Sequence, residues 1–310
     1  TVVLKAAPDT PWSATALGRI VAESTDMPAG VFNVITSSNP QQVGEQLVDD
    51  PRVDMVSFTG STAVGKQIMV RAAATVKKVF LELGGKSANI VLDDADLGAS
   101  LLSALAVCFH AGQGCALNTR LLIPRDRQAE AEELLKTYFG FITYGDPASE
   151  GEIMGPLVNA RQRERVLAYI EKGKEEGARL LLGGGIPGHL NKGFYVEPTV
   201  FVDVTNDMTI AREEIFGPVL AVIAYDSEDD AVRIANDSDF GLSGSVWAGS
   251  EARGVALARR IRAGTVNVNG GNFYGPDAPF GGYKQSGIGR EMGPEGFEEY
   301  LETKTIAVAV

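Results

Sequence analysis

The sequence is poor in the side chains that form disulfides or hold metals. Only two cysteines, Cys108 and Cys115, and two histidines, His110 and His189, occur among 310 residues. The cysteines are seven positions apart with no cluster of histidines beside them, which excludes a zinc-type spacing and a disulfide framework. We therefore expect no metal site and a reducing compartment, the cytoplasm.

Long apolar runs and an excess of basic residues are also missing. No run of 18 or more apolar residues occurs, and no basic segment with a small-residue cleavage site opens the chain. The formal net charge of −12 excludes nucleic acid and anionic membranes as main partners, since both attract basic patches. We expect an unexported, soluble protein that acts on a small molecule. The chain enters directly into a β-type run, residues 1–4, so we expect it to begin in mid-domain.

What is present is a regular alternation of short β-branched runs with longer amphipathic segments. This pattern favours parallel sheets with crossover helices over a β-sandwich. Predicted strands lie at residues 1–4, 31–36, 53–59 and 79–83, with helices at 12–24, 41–49 and 63–74. We interpret them as part of a doubly wound domain, residues 1–84.

A second α/β unit is predicted after Gly84 and Gly85, and this boundary depends on the glycine pair alone. Its predicted strands are 88–92, 121–124, 194–204, 219–225 and 265–269. Its predicted helices are 97–109, 127–138, 161–176, 229–236 and 252–261. We assign residues 85–283 to this domain and 284–310 to a C-terminal segment.

A strand-to-helix turn is predicted at Gly60 and Ser61, within the stretch FTGSTAVGK. Such a turn presents free backbone N–H groups and the positive end of a helix dipole, which suit a phosphate group. It matches neither GxGxxG nor the phosphate-loop pattern. The turn could equally be a plain structural cap.

Two further motifs carry candidate catalytic groups. Glu82 stands in LELGGKS among apolar neighbours, where ionisation is costly and the pKa of the carboxyl can rise towards that of a general base. Cys115 stands in HAGQGCALNTR, where small neighbours leave the sulfur accessible and let a backbone N–H approach an oxyanion. The alternatives are a surface glutamate and an unreactive loop cysteine. Cys108, within an apolar helix, is expected to be a core thiol.

Taken together, the motifs resemble those of the aldehyde dehydrogenase superfamily. The glycine turn, LELGGKS, GQGC, EEIFGPV at 213–219 and PFGGYKQSG at 279–287 appear in that family's order and spacing, over the whole chain. The resemblance implies an aldehyde dehydrogenase-like α/β fold, with a partial doubly wound cofactor domain followed by an α/β catalytic domain. It also implies a homo-oligomer, a dimer or tetramer, that acts on a small aldehyde.

The resemblance assigns roles to particular residues. Cys115 and Glu82 become the catalytic pair. The implied cofactor contacts, to NAD or NADP, are Lys5 at the adenine ribose, Gly60 and Ser61 at the pyrophosphate, Val64 at the adenine pocket, Leu83, Glu214 at the nicotinamide ribose, and Phe216 against the nicotinamide. The implied aldehyde tunnel is lined by Gly114, Ala116, Phe273 and Phe280.

The implied reaction is oxidation of an aldehyde to a carboxylic acid. Cys115 attacks the aldehyde, hydride leaves to the nicotinamide, and water activated by Glu82 hydrolyses the thioester. Glu82 favours hydrolysis, because family members that pass the acyl group to coenzyme A usually lack it.

The sequence departs from the family pattern at two points. The family's oxyanion-stabilising Asn has no counterpart in these residues, so we expect a chain that lacks an upstream portion. Pro8 stands where NAD-preferring members commonly place a Glu, which removes a repulsion against a 2′-phosphate and predicts that NADP is tolerated.

Two alternatives remain open from the sequence. One is a non-catalytic protein on the same fold, and the other is a thiol hydrolase that needs no nicotinamide.

Overall fold

The structure is a computed structural model that describes residues 1–272 and 274–309. The chain divides into two compact units. The first comprises Thr1–Ser57 and Lys66–Val79, and the second comprises Phe58–Gly65 and the chain from Phe80 onward. The domain boundaries at residues 84 and 283 stay predictions.

The first unit contains a parallel strand pair with a crossover helix. Strand β1 (Val2–Lys5) pairs in parallel with β2 (Phe32–Ile35), and helix α1 (Pro11–Ser24) connects them. Helix α2 (Pro40–Asp49) begins with proline at its first position, and the Asn39 side chain accepts a hydrogen bond from the Gln42 N–H. Local capping chemistry therefore starts this helix where the sequence predicts it.

Two strands and one helix pass from one unit to the other along the chain. They are β3 (Met55–Thr59), α3 (Thr62–Ala72) and β4 (Lys78–Glu82). In the second unit, the short strand β14 (Gly287–Ile288) pairs antiparallel with Leu81 and Glu82 at the end of β4. Glu82 thus lies where β4 ends.

The second unit is built on a seven-stranded sheet of order β12-β11-β5-β6-β9-β8-β7. All neighbours are parallel except β7 and β8. The seven strands are β5 (Ala88–Val91), β6 (Arg120–Pro124), β7 (Arg179–Leu182), β8 (Thr199–Val202), β9 (Val219–Tyr225), β11 (Ser243–Trp247) and β12 (Thr265–Val268). β10 (Phe240–Gly241) pairs antiparallel with β13 (Tyr283–Lys284) outside this sheet.

Helices connect these strands, as a parallel sheet requires. They are α4 (Leu97–Leu102), α5 (Gln128–Phe139), α6 (Ala160–Glu175), α7 (Thr209–Arg212), α8 (Glu228–Asn236) and α9 (Glu251–Ala258). A last helix, α10 (Gly293–Glu298), follows β14. The central strands β5, β6 and β8 are buried along their whole length, because helices cover both faces of the sheet. The α/β class predicted from the alternation is confirmed.

The predicted helix 97–109 is wrong in its second half. The α-helix ends at Leu102, and the chain continues as a 3₁₀ segment, Ser103–Gly112, that breaks at Phe109. His110 and Ala111 have φ of 52° and 54°, which no α-helix accommodates. The apolar pattern does not reveal this break, because neighbouring backbone imposes it.

Candidate active site

The candidate site lies where three neighbouring parallel strands begin. Gly84 and Gly85 precede β5, Cys115 precedes β6, and Glu214 precedes β9, and these strands are adjacent in the order β5-β6-β9. Parallel strands begin at one edge of a sheet, so the three loops meet there. The sequence-predicted groups of LELGGKS, GQGC and EEIFGPV are therefore brought together by the topology.

Cys115 is held in this loop cluster by backbone packing. A Cβ on Gly85 would collide with the carbonyl oxygen of Cys115, so glycine is required for the two loops to approach. Burial raises the pKa of the half-buried Cys115 thiol, and Glu214 and then Glu82 raise it further. The backbone N–H groups of Cys115 and Ala116 oppose this by bonding to the sulfur. The sulfur therefore lies within electrostatic reach of both carboxylates.

The loop before Cys115 has an unusual backbone. His110, Ala111 and Gly112 have successive φ of 52°, 54° and 74°, in the left-handed region that non-glycine residues avoid. A Cβ on Gly112 would collide with the backbone of Gly217. Gln113 then ties the loop down, since its side chain donates to the His110 carbonyl at 2.9 Å and accepts from the Val158 N–H at 2.9 Å.

Glu82 is a buried carboxyl group that forms no hydrogen bond with the described part of the chain. Its exposed fraction is 2%, and neither of its oxygens has a hydrogen-bond partner among the described residues. Burial raises the pKa of Glu82 to about 8, Glu291 adds to the rise, and Arg290 opposes it. A surface glutamate, the alternative left open by the sequence, does not fit this burial.

Sequence reasoning missed the residues that surround Glu82. Arg290 and Glu291 lie three and four residues after the end of the PFGGYKQSG motif, and both act on the pKa of Glu82. Burial raises the pKa of the Tyr274 phenol, and Glu291, Cys115 and Glu82 raise it further. The charge pair next to a recognised motif was the available signal, but nothing in the sequence indicates that these residues face Glu82.

Glu214 is a half-buried carboxylate that touches the LELGGKS loop. Its Oε1 accepts a hydrogen bond from the Gly85 N–H at 3.0 Å, and a Cβ on Gly84 would lie 2.5 Å from its Oε2. Burial raises the pKa of Glu214, while the Gly85 N–H, Lys86 and Arg165 lower it. Gly84 thus makes room for the Glu214 side chain, and Gly85 makes room for the Cys115 backbone.

Phe216 lies two residues after Glu214 in a left-handed conformation with φ of 60°. Its ring is half-buried. The side-chain amide of Gln162 on α6 donates to the carbonyl oxygens of Ile215 at 3.2 Å and Phe216 at 2.7 Å. Sequence reasoning missed Gln162, which is 54 residues away from Phe216 along the chain.

Cys108 differs from Cys115 in its burial. Its side chain is fully buried in the apolar core, and burial raises the pKa of its thiol to about 12. A thiol that remains protonated and has no access to solvent is unreactive.

The predicted phosphate-binding turn lies at the start of α3. Gly60 and Ser61 are exposed, and the Ser61 hydroxyl accepts from the Val64 N–H at 3.4 Å. Val64 is 41% exposed, whereas the Leu83 side chain is buried against Gly65. In the first unit, the Lys5 ammonium donates to the Ala6 carbonyl at 3.1 Å. The cofactor roles of these residues stay predictions.

The predicted tunnel residues are only partly described. Gly114 and Ala116 flank Cys115 and are half-exposed. The Phe280 ring contacts the Tyr274 ring edge to face, with centroids 5.5 Å apart. Phe273 lies outside the described residues.

Two cations are buried behind the LELGGKS loop. The Arg120 guanidinium donates to the carbonyls of Lys86, Ile234 and Ala235 and to the Asn206 side chain. The Lys86 ammonium is buried and has no hydrogen-bond partner among the described residues, and burial lowers its pKa to about 7. Both line one small cavity.

The described residues contain no group of three or more His, Cys, Asp or Glu side chains that could hold a metal ion. In the same part of the chain, no helix has the length and apolar character needed to cross a membrane.

Comparison with known proteins places this geometry in context. The family model described as "Aldehyde dehydrogenase family" matches residues 1–306. A 3-succinoylsemialdehyde-pyridine dehydrogenase from a Pseudomonas species is 46% identical over 310 residues, which cover 99% of this chain and 64% of that protein. The chain thus spans about 64% of the length of the curated relatives it matches.

Solved structures of aldehyde dehydrogenases are also similar to this chain. An aldehyde dehydrogenase of Mycobacterium tuberculosis complexed with NAD⁺ superimposes with a TM-score of 0.93 at 48% identity, over 96% of this chain and 61% of that one. A cysteine-to-alanine mutant of aldehyde dehydrogenase C from Pseudomonas syringae, complexed with NAD⁺ and octanal, gives a TM-score of 0.94 at 46% identity, over 98% and 62%.

Proposed function

The chain belongs to the aldehyde dehydrogenase family, as its motifs predicted, and we propose that it oxidises an aldehyde to a carboxylic acid through a thioester on Cys115. The main support for this proposal is the environment of Glu82. Glu82 is buried with no hydrogen-bond partner among the described residues, and it raises the pKa of the Cys115 thiol. This reaction needs a nucleophile and a base close together, and Cys115 and Glu82 lie within electrostatic reach of each other.

In the first step, the Cys115 thiolate attacks the aldehyde carbon and forms a carbon–sulfur bond. The carbonyl oxygen becomes an oxyanion. We propose that the backbone N–H groups of Cys115 and Ala116, which lower the pKa of the thiol, also stabilise the charge of this oxygen.

The next step requires a nicotinamide cofactor, and this chain's residues fit one. Among the described residues, the Gly85 N–H is the one donor bonded to the Glu214 carboxylate, so acceptor positions remain for ribose hydroxyls. The exposed turn at Gly60 and Ser61 begins a helix and suits the pyrophosphate. When bound, the nicotinamide accepts the hydride that leaves the substrate carbon. We propose that the Phe216 ring orients the nicotinamide.

Glu82 completes the reaction by taking a proton from water, which attacks the thioester carbon. The carbon–sulfur bond breaks, the carboxylic acid leaves, and the proton on Glu82 passes to the sulfur and restores the Cys115 thiol. A carboxyl group with its pKa raised to about 8 is a stronger base than an ordinary glutamate. With no hydrogen-bond partner among the described residues, both of its oxygens keep their acceptor positions for a water molecule that enters the site.

We propose NAD⁺ as a cofactor, with NADP⁺ tolerated. Both solved relatives described above are complexed with NAD⁺. Pro8, exposed after β1, places no carboxylate where a 2′-phosphate would be repelled. The small flanks of Cys115 and the rings of Tyr274 and Phe280 favour aldehydes with an apolar chain.

The test is the absorbance of reduced nicotinamide when an aldehyde and NAD⁺ are added together, with each omitted in turn. The proposal predicts a signal only with both, which is lost in Cys115→Ala. Acid release from an ester without any cofactor would favour a thiol hydrolase. A folded chain that neither reduces NAD⁺ nor hydrolyses esters would favour a non-catalytic protein.

A further inference from the structure

The segment from Glu213 to Gly217 has a backbone that its own sequence does not favour. Phe216, with φ of 60°, is a bulky non-glycine residue in the left-handed region. Such a residue persists only where surrounding contacts hold it. The contacts that hold it here come from one face of helix α6.

Gln162, near the start of α6, makes the contacts that bear on Phe216 itself. Its amide nitrogen donates to the Phe216 carbonyl at 2.7 Å and to the Ile215 carbonyl at 3.2 Å. The two carbonyls belong to successive peptide units, one on each side of the Phe216 Cα. Their relative direction depends on the φ and ψ of Phe216, so a single donor that bonds both favours one conformation.

Two further residues on the same helix face hold the preceding residues. Arg165 donates to the Glu214 carbonyl at 2.8 Å and to the Tyr169 hydroxyl at 3.2 Å. The Tyr169 hydroxyl donates to the Glu213 carboxylate at 2.6 Å. The spacing of 162, 165 and 169 places all three on one side of α6. This face therefore braces every residue from Glu213 to Phe216.

We infer that Gln162 is a positioning residue that holds Phe216 in its left-handed conformation and so fixes the Glu214 carboxylate and the Phe216 ring for the nicotinamide half of the cofactor. The inference rests on the proposed function, because that function supplies the cofactor. The physical reason is preorganisation. If the segment had to become ordered when the cofactor binds, the free energy of ordering it would lower the affinity.

Two substitutions of Gln162 distinguish the loss of its amide donor from a change in the size of its side chain. Gln162→Met keeps the length and removes the donor, and Gln162→Glu keeps the shape but presents only acceptors to the two carbonyls when ionised. Gln128→Met is the matched control. Gln128 also begins a helix, and its amide donates to two side-chain acceptors, Glu132 and Asp203.

The first measurement is the NAD⁺ dissociation constant by calorimetry, followed by kcat and KM for cofactor and aldehyde. Both Gln162 variants should weaken NAD⁺ binding by about tenfold. The aldehyde KM should stay within about twofold of its original value, since no reacting group is altered. Gln128→Met should leave the NAD⁺ affinity unchanged. Equal NAD⁺ affinity in the control, the Gln162 variants and the unmodified chain would overturn the inference.

The second measurement does not depend on activity. Glycine adopts positive φ freely, so Phe216→Gly removes the need for a brace. In thermal unfolding, Gln162→Met should lower Tm in the unmodified chain and lower it much less in the Phe216→Gly background. Equal losses in both backgrounds would overturn the inference. If the unmodified chain binds no NAD⁺, the proposed function fails, and this cycle alone decides whether Gln162 holds Phe216.

Discussion

Gly85 and Cys115 lie so close that a Cβ on Gly85 would collide with the carbonyl oxygen of Cys115. The two residues precede adjacent parallel strands, β5 and β6, so a shift of one loop moves the other. The position of Cys115, the proposed nucleophile, therefore depends on the absence of a side chain at Gly85.

Gly85→Ala should displace Cys115 and lower kcat by about a hundredfold, the loss that a misplacement of about 1 Å can cause. Gly188→Ala is the control, because a Cβ on Gly188 meets nothing within 4 Å. Steady-state kinetics and circular dichroism decide the outcome. A folded Gly85→Ala variant with the original kcat would show that this close approach does not position the nucleophile.

The two cysteines should behave oppositely. Cys115→Ala is expected to abolish reduction of NAD⁺, whereas Cys108→Ala should retain it, because Cys108 is fully buried with its pKa raised to about 12. Cys108→Ala should instead lower stability by about 1 kcal/mol through lost packing. An inactive but folded Cys108→Ala variant would reverse the assignment.

Lys86 should give the unfolding free energy a characteristic dependence on pH. Its pKa in the folded chain is lowered to about 7, from about 10.5 for an unburied lysine. Between these values the unfolded chain holds the extra proton, so stability rises with pH from about 7 to about 10.5. At about 1.4 kcal/mol per pKa unit, the full rise amounts to several kcal/mol.

Urea unfolding across this range checks the prediction against Lys86→Met, which should lack the rise. Lys77→Met is the control. The buried Lys77 ammonium donates to the Asp50 and Val53 carbonyls at 2.6 and 2.8 Å, so its loss should destabilise the chain at every pH. A Lys86→Met variant with an unchanged pH dependence would exclude Lys86 as its source.

Pro8→Glu should shift the cofactor preference towards NAD⁺. The carboxylate would face the position expected for a 2′-phosphate, and two like charges in contact repel by about 4 kcal/mol near a protein surface. The ratio of kcat/KM for NAD⁺ to that for NADP⁺ measures the effect. An unchanged ratio would place the adenine ribose elsewhere.

The sequence predicted the site's chemistry better than its geometry. The alternation of strands and helices and the residues Cys115, Glu82 and Glu214 were available from local patterns and ordered motifs. The break at His110 and Ala111 was not, because packing against Gly217 imposes it.

Residues that act from a distance escaped prediction for the same reason. Gln162, Tyr274 and Glu291 carry no local motif, and each reaches the site only through the fold. Strand β11 was also missed, because the two serines and the glycine of 243–247 weaken the β-type pattern, although the strand pairs with both β12 and β5 in the sheet.

Glu82 provides the most direct test of the central claim. With its pKa raised to about 8, the carboxyl group is mostly protonated at pH 7 and becomes the active base as the pH rises. The steady-state rate limited by hydrolysis should therefore increase through about pH 8. Glu82→Gln should not show this increase in rate with pH, because an amide cannot accept the proton from water.

The deciding measurement is rapid mixing of Glu82→Gln with aldehyde and NAD⁺ while reduced nicotinamide is followed by absorbance. We expect a burst equivalent to the enzyme sites, close in rate to that of the unmodified chain, followed by slow turnover as the thioester accumulates. A burst and a steady rate reduced by the same factor would contradict the assignment of Glu82 to thioester hydrolysis.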